Sequence, residues 1–136
     1  MTLDVVRTKN VLQLQGFSIF SVENRIFFWG GSGPQAQDSK ISICENKLTM
    51  FEKEEFVLCN QKGKIPAPRE NHASCVANKG LIIMGGNNGK KFFNDWHFLE
   101  FKTMTWIPLE MNQYYPPFLD SLLFWKGGRG FLLTGE

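Results

Sequence analysis

The sequence is poor in the residues that most chemistry needs. It has three cysteines, Cys44, Cys59 and Cys75, among 136 residues. An odd count without framework spacing argues against a disulfide scaffold and fits a reducing compartment. It has two histidines, His72 and His97. Neither stands near a paired nucleophile and orienting group, so both read as structural and no catalytic residue is assigned. The net charge is only +2, with acidic and basic residues interspersed. That leaves no basic stripe of the kind that grips nucleic acid, and any DNA contact should be weak or indirect. No apolar run approaches the ~18 residues of a membrane span. Asp4, Arg7 and Lys9 interrupt the N-terminus where a signal peptide would be apolar, so the expected location is intracellular, with no membrane partner.

Aromatic residues and glycine are plentiful, with 13 Phe and 13 Gly. Phe, Ile and Val suit pleated, half-buried surfaces, and Gly punctuates turns. A Gly-Gly doublet closes a short apolar run twice, as Ile26-Phe27-Phe28-Trp29-Gly30-Gly31 and as Leu81-Ile82-Ile83-Met84-Gly85-Gly86. Phe131-Leu132-Leu133-Thr134-Gly135 is a degraded third copy, with Glu136 in place of a second Gly. Self-similarity at a period of roughly 50 residues marks a repeat array.

The second copy reads as four short strands: Ala73 to Ala77, Leu81 to Met84, Trp96 to Phe101 and Thr105 to Pro108. Asn78-Lys79-Gly80 and Lys102-Thr103-Met104 make the tight turns of an antiparallel meander, one propeller blade. The first copy is expected to follow the same order, with Gly16 to Val22, Arg25 to Trp29, Lys40 to Cys44 and Thr49 to Glu52. Met50 or Phe51 then takes the place of Trp106. Copy three supplies only Leu119 to Phe124 and Phe131 to Thr134. The expected fold is all-β: complete blades at about 16–52 and 73–108, and a partial blade at about 119–136. A propeller so short is incomplete, and its open strand edges invite self-association.

Residues at fixed offsets have physical work in such a blade. Gly30, Gly31, Gly85, Gly86 and Gly135 let a neighbouring backbone approach the end of strand two. Trp106 supplies a large ring to cover small residues. Arg69 and His72 are expected to donate hydrogen bonds to backbone carbonyls at the blade junction.

These features resemble the kelch-repeat family. The resemblance is carried by Pro66-Ala67-Pro68-Arg69-Glu70-Asn71-His72, the doublets at Gly30 and Gly85, Asn94-Asp95-Trp96, and Thr103-Met104-Thr105-Trp106. It implies a β-propeller that binds partners. A narrower resemblance, carried by the opening Met-Thr-Leu, Gly16-Phe17-Ser18, Phe27 to Gly30 and Pro68 to Cys75, is to the propeller of recombination-activating protein 2. It implies a non-catalytic nuclear subunit that holds a DDE-type recombinase or transposase. The alternative is a kelch substrate-recognition adaptor of a ubiquitin ligase, or another generic kelch scaffold. The 15 residues before Gly16 leave no room for a BTB or F-box domain, which inclines the reading toward the former.

Recognition should fall on the face carrying the long connections, namely Ser32 to Ser39, Lys53 to Pro66, Asn87 to Phe93 and Glu110 to Pro117. Lys62, Lys64, Lys90 and Lys91 are its candidate cations, and Tyr114 and Tyr115 its candidate aromatic anchors. A plain solvated surface is the competing account of the lysines, and packing between blades that of the tyrosines. Cys59, His72 and Cys75 lack a fourth ligand at a zinc-site interval. Gly30-Gly31-Ser32-Gly33 is followed by no Lys-Ser/Thr pair, so no phosphate loop is read. No metal and no cofactor are expected.

Overall fold

The computed structural model describes residues 1–3, 12–35, 38–111 and 121–133, with the side chains of 35–42 left aside. Thirteen strands carry the described fold: β1 (Ser18–Val22), β2 (Arg25–Trp29), β3 (Ser32–Gln35), β4 (Asp38–Cys44), β5 (Leu48–Glu52), β6 (Glu55–Cys59), β7 (Lys62–Gly63), β8 (Ala73–Ala77), β9 (Gly80–Met84), β10 (Trp96–Glu100), β11 (Thr105–Leu109), β12 (Leu122–Lys126) and β13 (Arg129–Leu133). They form a first blade in the order β1-β2-β5-β6 and a second in the order β7-β11-β10-β9-β8. Two hairpins, β3-β4 and β12-β13, complete the set. The fold is all-β and its sheets do not close into a ring.

The first blade departs from the expected layout. Lys40 to Cys44 is not its third strand but lies in β4, paired with β3 in an inserted hairpin. The third strand is β5, expected as the fourth, and the fourth is β6, expected as part of a loop. The reason is local. Lys53 and Glu54 join β5 to β6 with φ of 50° and 64°, a two-residue turn of the primed kind. Such turns are usually marked by Asn or Gly, and Lys-Glu gives no such mark. Glu23-Asn24 (49° and 65°) and Asn78-Lys79 (49° and 60°) make the same turn between β1 and β2 and between β8 and β9. In consequence Phe56, opposite Phe51 as Trp106 is opposite Leu99, holds the Trp106 position in blade one.

The two blades face each other. One face of blade one, Phe20, Phe27, Trp29 and Leu48, meets Leu81, Ile83, Leu99 and Trp106 of blade two in one buried cluster. Phe20 stacks on Phe27 at 5.5 Å, and Trp29 tilts against Trp106 at 5.0 Å. Burying side chains of this size contributes roughly 1.5–3 kcal/mol each. Beyond blade two the β12-β13 hairpin packs against β8, leaving a cavity of about 450 Å³ lined by Ile82, Trp96, Met111, Leu123, Trp125 and Leu132.

The chain between the blades, Pro66 to His72, is threaded through this junction. Gly31 N–H donates to Arg69 O at 2.8 Å, and Glu70 exchanges backbone hydrogen bonds with Asn87. The doublets make room for it. Gly30 sits at φ 71° and Gly86 at φ 91°, where a Cβ would lie 3.1 Å from Arg69 O in one case and 2.7 Å from Glu70 O in the other. Gly86→Ala is therefore expected to cost about 1–3 kcal/mol, from an unfavourable φ and a displaced neighbour. Lys90→Ala, on the exposed loop, should cost less than about 0.5 kcal/mol. Urea titration of the two variants checks the difference, and equal midpoints would remove the close-approach role of the doublet.

Candidate functional site

Three polar arrangements brace the junction. Arg69, fully buried, forms a two-pronged pair with Asp95, Nη1 to Oδ1 at 2.5 Å and Nη2 to Oδ2 at 3.0 Å. It also donates to Gly85 O at 3.0 Å and Ala67 O at 3.1 Å, and its guanidinium lies over the Phe93 ring at 4.0 Å. A desolvated guanidinium is tolerable only when its donors are so occupied. Burial alone would raise the Asp95 carboxyl. Hydrogen bonds from His97 and Arg69, and the Arg69 charge, outweigh it and hold Asp95 well below the usual carboxylate range.

Gln61 makes the second arrangement. Its Oε1 accepts from Trp29 Nε1 at 3.0 Å and Trp106 Nε1 at 2.7 Å, while its Nε2 donates to Asn46 O at 2.9 Å. One amide thus satisfies both buried indoles. Nothing in the spacing of Gln61 singled it out.

The third arrangement holds His72, whose side-chain partner is not a backbone carbonyl, as expected, but Ser18 Oγ at 2.6 Å from Nε2. The carbonyls of the junction are taken up by backbone N–H groups and by Arg69. Ser18 and His72 are not a nucleophile pair. Ser18 is buried, and His72 Nδ1 is buried without an orienting carboxylate. Burial, followed by the Arg69 charge, lowers His72 to about 3, so its imidazole is neutral at physiological pH. His97 bonds Asp95 Oδ2 through Nε2 at 2.8 Å.

On this frame two connections between second and third strands rise from the same end of the blades. One is the β3-β4 hairpin and the other is the Asn87–Phe93 loop. They are tied together where Cys44 Sγ reaches Asn87 O at 3.7 Å, and indirectly where Ser32 Oγ donates to Glu70 Oε2, since the Glu70 backbone pairs with Asn87. The loop is internally fixed. Asn88 Oδ1 accepts from Lys90 N at 3.0 Å and Lys91 N at 2.8 Å, Asn88 N donates to Lys91 O at 3.1 Å, and Asn87 Oδ1 accepts from Gly89 N at 3.0 Å. These are the side-chain turns that Asn favours. They present Lys90, Lys91 and Phe92 outward, and Phe92 is 55% exposed while its neighbour Phe93 is buried under Arg69.

The candidate lysines do not share one face. Lys62 pairs with Thr105 on β7, beside the tight turn at Met104, and Lys64 N donates to Trp106 O further along the same edge. Lys90 and Lys91 are at the other end of the blade. The expected loop Lys53 to Pro66 is instead β6 and β7, which is why its lysines moved. Tyr114, Tyr115 and Gly135 lie outside the described residues. Cys44, Cys59 and Cys75 are unpaired and their thiols are raised by burial, so none is an activated nucleophile. Among the described residues no group of three or more His, Cys, Asp or Glu side chains is placed to hold a metal ion.

Meanders packed face to face around a threaded Arg junction define the β-propeller class. A family pattern described as the KLHDC2/KLHL20/DRC7 Kelch-repeats domain matches residues 6–134, and the chain belongs to the kelch-repeat family. It is similar to the Rho GTPase-activating protein gacHH of Dictyostelium discoideum, 32% identical over 62% of this chain and 6% of that one. It is also similar to Kelch domain-containing protein 3 of Bos taurus, 30% identical over 67% of this chain and 23% of that protein. The chain thus spans less than a quarter of these curated relatives. The solved structure described as "Structure of YjhT" aligns with a TM-score of 0.73 at 13% identity, over 88% of this chain and 44% of that one, and shows the same fold.

The His72 environment sets a pH dependence. Its folded value, about 3, lies below the ordinary imidazole value of 6.5, so the unfolded chain takes up a proton first as pH falls. Stability is then full above 6.5 and declines between 6.5 and 3, by about 1.4 kcal/mol per pH unit. Denaturant unfolding at pH 6.5 and pH 5.0 should differ by about 2 kcal/mol, and His72→Gln should flatten that difference. A wild-type chain equally stable at both values would contradict the buried neutral imidazole.

Proposed function

We propose that this chain is a non-catalytic protein-interaction module that binds through the end of the blades carrying the β3-β4 hairpin and the Asn87–Phe93 loop. Kelch-repeat domains generally serve as protein-interaction modules, and family membership supports the coarse reading. The observation that carries the finer one is the loop itself. A large apolar side chain, Phe92, stands more than half exposed directly after Lys90 and Lys91, whose backbone is already held by Asn88. With its backbone already held, the loop loses less conformational freedom on binding, so Phe92 is an anchor and Lys90 and Lys91 are its charged rim. The partner surface is an apolar pocket bordered by acidic groups.

A more specific reading, that the module is the accessory subunit of a DDE-type recombinase in the nucleus, is supported by the sequence resemblance at Gly16 to Ser18, Phe27 to Gly30 and Pro68 to Cys75. None of the relatives described above supports it. The ubiquitin-ligase adaptor is the other specific reading. Cross-linking of the tagged chain in cells, followed by identification of what is joined to the Asn87–Phe93 loop, separates them. Recovery of a cullin-type ligase without a recombinase would discard the recombinase reading, and recovery of neither would discard both.

For the loop, Phe92→Ala is expected to weaken the recovered complex by at least about tenfold, the effect of losing a buried aromatic anchor. Lys90→Glu with Lys91→Glu should slow association and remove its salt dependence. Lys62→Glu with Lys64→Glu, at the opposite end, should leave binding unchanged. Surface plasmon resonance against the purified partner reads all three, and equal losses for the two lysine pairs would displace the site from this loop.

A further inference from the structure

The tip of the 87–93 loop carries Asn88-Gly89, the one Asn-Gly pair in the sequence. An asparagine modifies itself when the backbone nitrogen of the next residue attacks its side-chain carbonyl carbon and closes a five-membered imide. A side chain on that next residue hinders the attack, and glycine has none. Which asparagines react in a folded chain then depends on geometry. The nitrogen must be uncrowded, and the charge that develops on Oδ1 must have donors aimed at it.

Asn88 meets both conditions. Asn88, Gly89 and Lys90 are all exposed. Gly89 sits at φ 85°, and a Cβ placed on it would meet nothing within 4 Å, so no neighbouring group crowds the peptide on that side. Two backbone N–H groups converge on Asn88 Oδ1, from Lys90 at 3.0 Å and from Lys91 at 2.8 Å. In the resting loop they close the turn. During the attack they face the oxygen on which negative charge gathers, as the donors of an oxyanion hole do. Asn87, next to it, is held differently. The residue after Asn87 carries a side chain, and the Asn87 backbone N–H and C=O are both bonded to Glu70.

We propose that Asn88 is a self-modification site, converted in the folded chain to aspartate and isoaspartate, and that the product sets an acidic group within the Lys90-Lys91 rim. Gly89 N forms a bond to Asn88 Cγ, and the bond from Cγ to Nδ2 breaks. The amine leaves as ammonia and takes the Gly89 N–H proton with it. Water then opens the imide, and nothing is oxidised or reduced. Breaking the new Cγ–N bond gives aspartate, whereas breaking the original backbone C–N bond gives isoaspartate. Either product adds one negative charge beside two lysines. Aspartate still offers an oxygen to the Lys90 and Lys91 N–H groups, so the turn is kept. Isoaspartate runs the main chain through Cβ and Cγ and lengthens the tip by one carbon just before Phe92. The chemistry is a property of the chain alone, and only its effect on recognition rests on the function proposed above.

Incubation of the purified full chain in mildly alkaline buffer, native and in concentrated urea, tests this without any partner. Trypsin releases the peptide 80–90, which contains both Asn87 and Asn88. Tandem mass spectrometry of that peptide over time reads the amide-to-acid mass gain at each position. Isoaspartate is read separately, as methyl groups accepted from S-adenosylmethionine in the presence of a protein isoaspartate methyltransferase. In the native chain Asn88 should convert at least about tenfold faster than Asn87, and at no less than about a tenth of its own rate in urea. Asn88→Gln, whose longer side chain would have to close a six-membered ring, should accept almost no methyl groups. A native rate below either limit, or methyl acceptance undiminished in Asn88→Gln, would overturn the inference.

Discussion

A four-stranded meander that is apolar on both faces needs a neighbour on each side, and this constraint organises the whole chain. One face of blade one is satisfied by blade two, through Phe20, Phe27, Trp29 and Leu48 against Leu81, Ile83, Leu99 and Trp106. The second face of blade two is partly satisfied by the β12-β13 hairpin through Leu123. Everything polar at the junction then has to be reconciled with burial, because the strand ends and the connecting chain meet where water is excluded. Arg69, Gln61 and His72 are the answers, each satisfying or sealing groups that the apolar packing would otherwise strand.

The arrangement has a functional consequence. Since the polar side chains of the junction are committed to one another, they are unsuited to chemistry. The neutral His72 and the Arg69-bound Asp95 are held far from the protonation behaviour a general acid or base needs. What remains exposed at the blade end is the Asn-braced loop with Phe92.

Much of this fold is legible along the chain. The Gly-Gly doublets, the Pro66 to His72 phrase and the Asn78-Lys79 turn each have a local cause, a required φ or a close approach, and local causes leave local marks. The β3-β4 insertion and the Lys53-Glu54 turn do not. A hairpin that pairs only with itself has the same strand pattern as a blade strand, and a turn formed by Lys and Glu is imposed by the register of β5 on β6 rather than signalled by its own residues. The unmarked Lys53-Glu54 turn makes 55–59 a strand and carries Lys62 and Lys64 onto the edge of blade two.

The sequence by itself determined the repeat: an all-β chain with glycine at strand ends, alternating apolar faces, and a charge too small for strong attraction to polyanions. Only the tertiary structure decided which face of each blade is covered, which lysines share an end, and that Gln61 serves two tryptophans. Those outcomes depend on residues 32 to 54 positions apart meeting across a junction, such as Trp29 with Gln61 and Ser18 with His72. Periodicity fixes which side chains share a face, but only packing between sheets fixes what that face meets.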